Sequence, residues 1–134
     1  MHTQQPRHRT RNLLTAALGE GVADFASELA IGPWFAETER ARYGAVHERD
    51  VWLDFRDEMM TDSTINTWMY NGMVPAPRNH GANDIGYWVG YRIARAYYNR
   101  AADKRAALRE LILLPDADRV LRESGYAEYA EGLK

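Results

Sequence analysis

Two carboxylates near the amino end of the chain have the spacing of a metal-binding pair. Glu20 and Asp24 are four residues apart in the segment Glu-Gly-Val-Ala-Asp. Residues four apart lie on the same face of an α-helix, so both carboxylates point the same way. Zinc binds carboxylate oxygen and histidine nitrogen, and His2 precedes this segment. The pair therefore has the composition of half a zinc site.

Solvation is the competing interpretation of the same pair, because acids four apart on a helix are common and usually face water. The neighbours of Glu20 and Asp24 are mostly apolar or small, however. An unpaired carboxylate among such residues costs several kcal/mol unless a cation or a hydrogen-bond donor compensates it. We therefore expect each acid to have a partner.

The composition excludes several classes of function. The chain has 134 residues, enough for one domain with a real core, and its net charge of −2 gives no general attraction to nucleic acid. Its only dense basic patch, Arg7, Arg9 and Arg11, is interpreted as part of a solvated arm. The absence of cysteine excludes disulfides and thiolate ligands. We predict no nucleic-acid partner.

No segment has the roughly 20 apolar residues that cross a bilayer, and the first residues do not form a signal peptide. The chain as written predicts a cytoplasmic location and no transmembrane segment. A leader or lipid anchor would alter that expectation if the gene began upstream. The oligomeric state is left open.

The hydrophobic pattern predicts helices and no strand. Apolar residues recur at helical spacings in the first long segment, which Gly32-Pro33 ends, and Asp84 is expected to begin the strongest helix. We predict an all-α protein, an irregular bundle of about five or six helices in a single domain, 1–134, with 1–9 as a flexible arm. The main predicted helices are 10–31, 46–60, 84–102, 103–114 and 116–123.

Glycines in two of these helices require a physical reason, since each costs about 1 kcal/mol relative to alanine. Gly19 and Gly21 indicate either close approach to another helix or to a metal, or a break in the first helix between Ala17 and Gly21. Gly86, Gly90 and Ala94 recur at every fourth residue and form a smooth stripe for close helix packing. We expect this stripe at a central helix crossing.

Several motifs together resemble a known family over most of the chain. Ser124-Gly125-Tyr126 and the string Gly-Tyr-Trp-Val-Gly-Tyr-Arg-Ile at 86–93 accompany the Glu20 to Asp24 segment and Tyr70-Asn71-Gly72. They resemble the C-terminal part of predicted zinc-dependent peptidases of the thermolysin-like, or gluzincin, clan, similar to the group that contains a gliding-motility lipoprotein. The resemblance implies hydrolysis of a peptide or protein substrate by zinc-bound water.

The resemblance also implies a role for each residue of the metal site. His2 corresponds to the second histidine of His-Glu-x-x-His, Glu20 to the third zinc ligand, and Asp24 to the carboxylate that orients a ligand histidine. Met1 would be the fourth letter of that motif, so the first histidine and the glutamate that acts as general base are missing. We therefore expect a truncated, inactive chain that binds zinc weakly or not at all.

An oxyanion donor is the remaining part of such a site. Tyr87 is the first candidate, and Tyr70 and His80 are alternatives, although all three could be ordinary core or surface residues. Arg92 and Arg95 could bind a substrate carboxylate, but pairing with acids on a neighbouring helix is the favoured interpretation.

Two other functions remain open. The chain could be a non-enzymatic helical module that binds a protein through its aromatic surface, or a bundle that binds a small ligand in an apolar cavity. Zinc uptake that is lost in Glu20→Ala would favour the peptidase-like interpretation over both.

Overall fold

The computed structural model describes residues 11–70 and 76–134, and within these ranges the regular structure is entirely helical. The all-α prediction is confirmed. The described residues form eight α-helices rather than about five or six, because short helices accompany the main predicted ones at 39–46, 65–68 and 126–131. In chain order they are α1 (Leu13–Ile31), α2 (Glu39–Val46), α3 (Glu48–Glu58), α4 (Ile65–Trp68), α5 (Ile85–Arg100), α6 (Lys104–Leu113), α7 (Ala117–Ser124) and α8 (Tyr126–Glu131).

Polar residues begin several of these helices. The Asn12 side chain accepts a hydrogen bond from the Thr15 backbone N–H at 2.8 Å, and Asp103 and Asp116 cap α6 and α7 in the same way. Asp84 precedes α5 as predicted, but it has a left-handed conformation and its side chain does not cap the helix. Side-chain caps thus begin α1, α6 and α7, whereas α3 and α5 begin without one.

The packing of α1 against α5 is the most extensive helix contact in the described structure. It depends on two glycines at the crossing point. A Cβ at Gly21 would lie 2.1 Å from the Gly90 carbonyl carbon, and one at Gly90 would lie 1.9 Å from the Ala17 carbonyl oxygen. Close approach is therefore the reason for Gly21, and α1 continues through it unbroken. Gly19 has no such neighbour within 4 Å.

Aromatic side chains fill the core on the other side of α5. Trp52 and Phe55 on α3 are fully buried; Trp52 meets Tyr126 edge to face at 5.5 Å, and Phe55 meets Trp68 in the same way at 5.4 Å. Because Tyr126 begins α8, this helix closes the core against α3. The core therefore joins segments that are far apart in sequence.

Among the residues that the structure describes, no helix has both the length and the apolar character needed to span a membrane. The predicted arm at 1–9 lies outside the described ranges.

Candidate functional site

Three acids on α1 form one face of the helix next to α5. Glu20 and Asp24 lie on this face as their spacing predicts, and Glu28 continues the same four-residue interval. All three are partly buried. We call the three residues the acidic face. Sequence reasoning did not include Glu28, although its spacing from Asp24 would have found it.

Glu20 has a tyrosine as its partner. The Tyr70 hydroxyl donates a hydrogen bond to Glu20 Oε2 at 3.1 Å, across 50 residues of sequence. Burial raises the pKa of Tyr70, and the Glu20 carboxylate adds to this effect. Tyr70 has a left-handed backbone, with φ of 57°, and more than half of the residue is exposed. A strained, exposed residue thus brings its hydroxyl to the predicted metal ligand.

Asp24 lacks a hydrogen-bond donor. Its Oδ2 atom is buried and has no hydrogen-bond partner among the described residues. The same oxygen forms a long ion pair with Arg40 on α2, whose Nη2 lies 3.9 Å away, beyond hydrogen-bonding distance. Burial raises the pKa of Asp24, Arg40 lowers it by a smaller amount, and Glu20 and Glu28 raise it further. The charged form of Asp24 is therefore only partly compensated.

Tyr87 is the first residue of α5 to face this region. Its ring meets the Tyr70 ring edge to face at 5.9 Å, and the Arg40 guanidinium lies 5.0 Å from its centre. Burial first and Glu20 second raise the pKa of Tyr87 to about 12. The hydroxyl, which any tyrosine keeps protonated at neutral pH, therefore stays protonated over a wider pH range and can donate a hydrogen bond. The predicted residues Glu20, Asp24 and Tyr87 thus lie in one region, together with Tyr70 and Arg40.

Glu28 differs from the other two acids because its carboxylate is used by the fold. It accepts hydrogen bonds from the Tyr91 hydroxyl and from the Phe35 backbone N–H, the latter at 3.2 Å. Burial, followed by the Glu28 bond, raises the pKa of Tyr91 to about 12. Glu28 therefore anchors the segment after α1 and closes one end of the acidic face.

His80 has contacts of another kind. Its Nδ1 lies 2.8 Å from the Tyr43 hydroxyl and its Nε2 lies 2.9 Å from Asp54 Oδ2, while 7% of the side chain is exposed. Both ring nitrogens are thus engaged with α2 and α3. These contacts fix the loop before α5. Of the three oxyanion candidates, Tyr70 and Tyr87 therefore lie nearer the acidic face, since Tyr70 bonds to Glu20 and Tyr87 contacts Tyr70 and Arg40.

The metal ligands are only partly covered by the structure. His2 lies outside the described residues. Within 11–70 and 76–134 there is no group of three or more histidines, cysteines and acids that could hold a metal ion. Of the residues predicted for the metal site, Glu20 and Asp24 are the two that the structure describes.

The two arginines singled out in α5 have different environments. Arg92 Nε donates to Glu48 Oε2 on α3 at 2.8 Å, which is the helix pairing that the sequence predicted. Arg95 is exposed and forms no ion pair with a described carboxylate. The pairing expected for both residues thus occurs for one of them.

Comparison of the chain with protein-family models, with curated proteins and with solved structures finds no significant match.

Proposed function

We propose that this chain is the helical, C-terminal part of a zinc-dependent peptidase, in which Glu20 is a metal ligand and Asp24 orients a ligand histidine. His2 is the proposed histidine ligand within the chain. The first motif histidine and the general base belong ahead of Met1 in this proposal. When bound, zinc would polarise the peptide carbonyl and supply a nucleophilic water.

One observation carries the proposal: the buried Oδ2 atom of Asp24 has no hydrogen-bond donor among the described residues. Buried carboxylate oxygens normally accept hydrogen bonds, and the second carboxylate around a zinc site commonly accepts one from a ligand histidine. Asp24 lies one helical turn from Glu20, so a histidine bound to it would reach the same metal. The residues therefore fit a zinc site that imidazoles complete.

The tyrosines around Glu20 have suitable properties for the rest of the site. Tyr87 is protonated at neutral pH, as any tyrosine is, and burial raises its pKa further, to about 12, so it can donate to an oxygen that becomes negative during peptide hydrolysis. Tyr70 already donates to Glu20 and can hold that carboxylate in place. In the proposal, Tyr87 stabilises the oxyanion and Tyr70 positions the metal ligand.

The first experiment is a zinc titration of the chain followed by NMR of the backbone amides. We expect zinc to shift the amides of α1 around Glu20 and Asp24, with low affinity, since the chain lacks part of the ligand set. Glu20→Gln should abolish the shifts. Glu128→Gln, which changes an exposed acid on α8, is the matched control and should leave them unchanged.

A second experiment tests the missing part of the motif. The codons before Met1 should encode an in-frame His-Glu-x, and a chain extended through them should retain zinc and cleave casein. Loss of both properties in the Glu20→Gln form would support the proposal. A stop codon at that position, with no zinc response in the shorter chain, would refute it and favour the non-enzymatic module.

A further inference from the structure

A groove between α5 and the α7–α8 junction is lined by cations and aromatic rings. It has a volume of about 330 Å³, and Arg92, Arg95, Arg100, Tyr126 and Tyr129 contribute to its wall. None of its lining residues is acidic. We call this region the arginine groove. The groove is notable in a chain whose net charge is −2.

Arg92 forms the fixed part of the groove. It is bound to Glu48, and its guanidinium lies 5.6 Å from the centre of the Tyr126 ring and 5.7 Å from that of Tyr129. Because Glu48 also accepts a hydrogen bond from the Tyr126 hydroxyl at 2.7 Å, the two rings and the guanidinium hold one another in place. The wall is thus preorganised.

Arg95 and Arg100 supply the free charge. Both are exposed, and neither forms an ion pair with any acid in the described part of the chain. Arg105 and Arg109 on α6 are likewise exposed and form no ion pair with a described acid, whereas Arg56, Arg78 and Arg119 each pair with at least one carboxylate. Arg95 and Arg100 are distinguished by their position, because both line the groove beside Arg92, where their guanidiniums are available to an anion.

Gly125 gives Arg100 its place in the groove. The glycine has a left-handed backbone with φ of 71°, which separates α7 from α8. A Cβ at this position would lie 2.0 Å from Arg100 Nη1. The Arg100 side chain therefore packs directly on the turn, which brings its exposed guanidinium to the groove.

We propose that the arginine groove binds an oxyanion, a carboxylate or a phosphate, carried by a small molecule whose apolar part packs on Tyr126 and Tyr129. Guanidinium groups match both oxyanions because they can donate two parallel hydrogen bonds. A volume of about 330 Å³ suits a ligand of this size. The arginine groove includes none of the residues of the proposed zinc site and is independent of it.

Calorimetric titration with three aromatic probes tests the proposal: N-acetylphenylalanine, its neutral amide, and phenyl phosphate. We expect at least one of the two anions to bind and the amide to bind more weakly. The stronger anion identifies carboxylate or phosphate as the natural ligand group. Equal binding of amide and anions, or no binding of either anion up to about 10 mM, would overturn the proposal.

Substitution of the unpaired cations tests the site itself. R95Q/R100Q removes both charges and should weaken binding of the preferred anion about tenfold or more, because charge-assisted hydrogen bonds are lost. The matched control is R105Q/R109Q, which removes two exposed α6 arginines from outside the groove. Equal weakening in both double variants would show a general charge effect and refute the proposal. Circular dichroism checks folding, and if R95Q/R100Q unfolds, the single variant R95Q provides the same comparison.

Discussion

Carboxylates in two regions of this molecule have opposite surroundings. On α3 and α8, acids that meet the core accept hydrogen bonds from tryptophan, tyrosine or arginine: Glu48 from Arg92 and Tyr126, Glu58 from Trp68 and Arg78, and Glu131 from Trp52. On the acidic face of α1, Asp24 has a buried oxygen without such a donor. These acids on α3 and α8 thus have hydrogen-bond donors, whereas Asp24, at the candidate site, has a buried oxygen without one.

The difference gives a physical criterion for distinguishing structural acids from those of the proposed site. A carboxylate that serves the fold gains its stabilising energy from donors within the fold. A carboxylate that awaits a ligand must keep an oxygen available, and that availability lowers stability. The raised pKa of Asp24 and the lowered pKa of Glu131 express this contrast.

Glu48→Ala should give the largest effect, because it removes the acceptor shared by Arg92 and Tyr126. An uncompensated, mostly buried arginine would remain, and we expect the free energy of unfolding to fall by about 4 kcal/mol. Urea denaturation measures the change, with the exposed Glu128→Ala as control. A loss below about 1 kcal/mol would show that Glu48 is not a structural acid.

Gly90→Ala should be nearly as disruptive, because it tests the crossing that positions the acidic face. The new methyl group would overlap the Ala17 carbonyl oxygen, so α1 and α5 must separate, at a cost of about 3 kcal/mol. Gly19→Ala is the control: its site is open, and the substitution should stabilise α1 by up to about 1 kcal/mol. Similar destabilisation by both changes would contradict the assigned packing.

Glu131→Gln should lower the free energy of unfolding moderately, by an amount that depends on pH. The Trp52 hydrogen bond, followed by Arg56, lowers the pKa of Glu131. Because the pKa of Glu131 is lower in the folded chain, its ionised carboxylate stabilises the fold at pH values above the ordinary pKa of 4.5. This stabilisation is lost as the pH falls through the pKa of the folded state. Denaturation at about pH 7 should show a loss of about 1 kcal/mol that diminishes in acid. A pH-independent loss would exclude the charge as its cause.

Asp24→Asn should have the smallest effect and the opposite sign. Because the pKa of Asp24 is raised, its ionisation destabilises the folded chain as pH increases from 3.8 through the folded value. The amide removes that cost, so the variant should be as stable as the parent or more stable by less than about 1 kcal/mol at neutral pH. The difference in stability between Asp24→Asn and the parent should disappear near pH 3.8. Marked destabilisation at neutral pH would make Asp24 a structural acid like Glu48.

Local sequence features predicted the helical class and part of the site. The four-residue interval placed Glu20 and Asp24 on one face, and the glycine stripe identified the crossing at Gly90, because both follow from helix geometry alone. The resemblance, rather than geometry, supplied Tyr87 as a candidate, and its role remains a prediction. Helical periodicity is therefore sufficient to predict which residues of one helix are neighbours.

Contacts between distant segments were not predictable in this way. The Tyr70 hydroxyl bonds to Glu20 across 50 residues of sequence. Tyr70 has a left-handed backbone conformation that no local sequence pattern predicts. Arg40 lies over Tyr87 because α2 packs on α5, and neither charge nor spacing indicates that pairing. The arginine groove likewise depends on the turn at Gly125. These features require the tertiary arrangement of the helices.

The contacts of α8 bear on how the protein is made. Glu48 bonds to a residue 78 positions later, and Trp52 bonds to one 79 positions later. During synthesis on a ribosome, Glu48 and Trp52 on α3 therefore lack these partners until Tyr126 and Glu131 have been made. Closing so long a loop is slow, and exposed apolar surface favours aggregation during that interval. The core around α3 is therefore completed only after α8 has emerged.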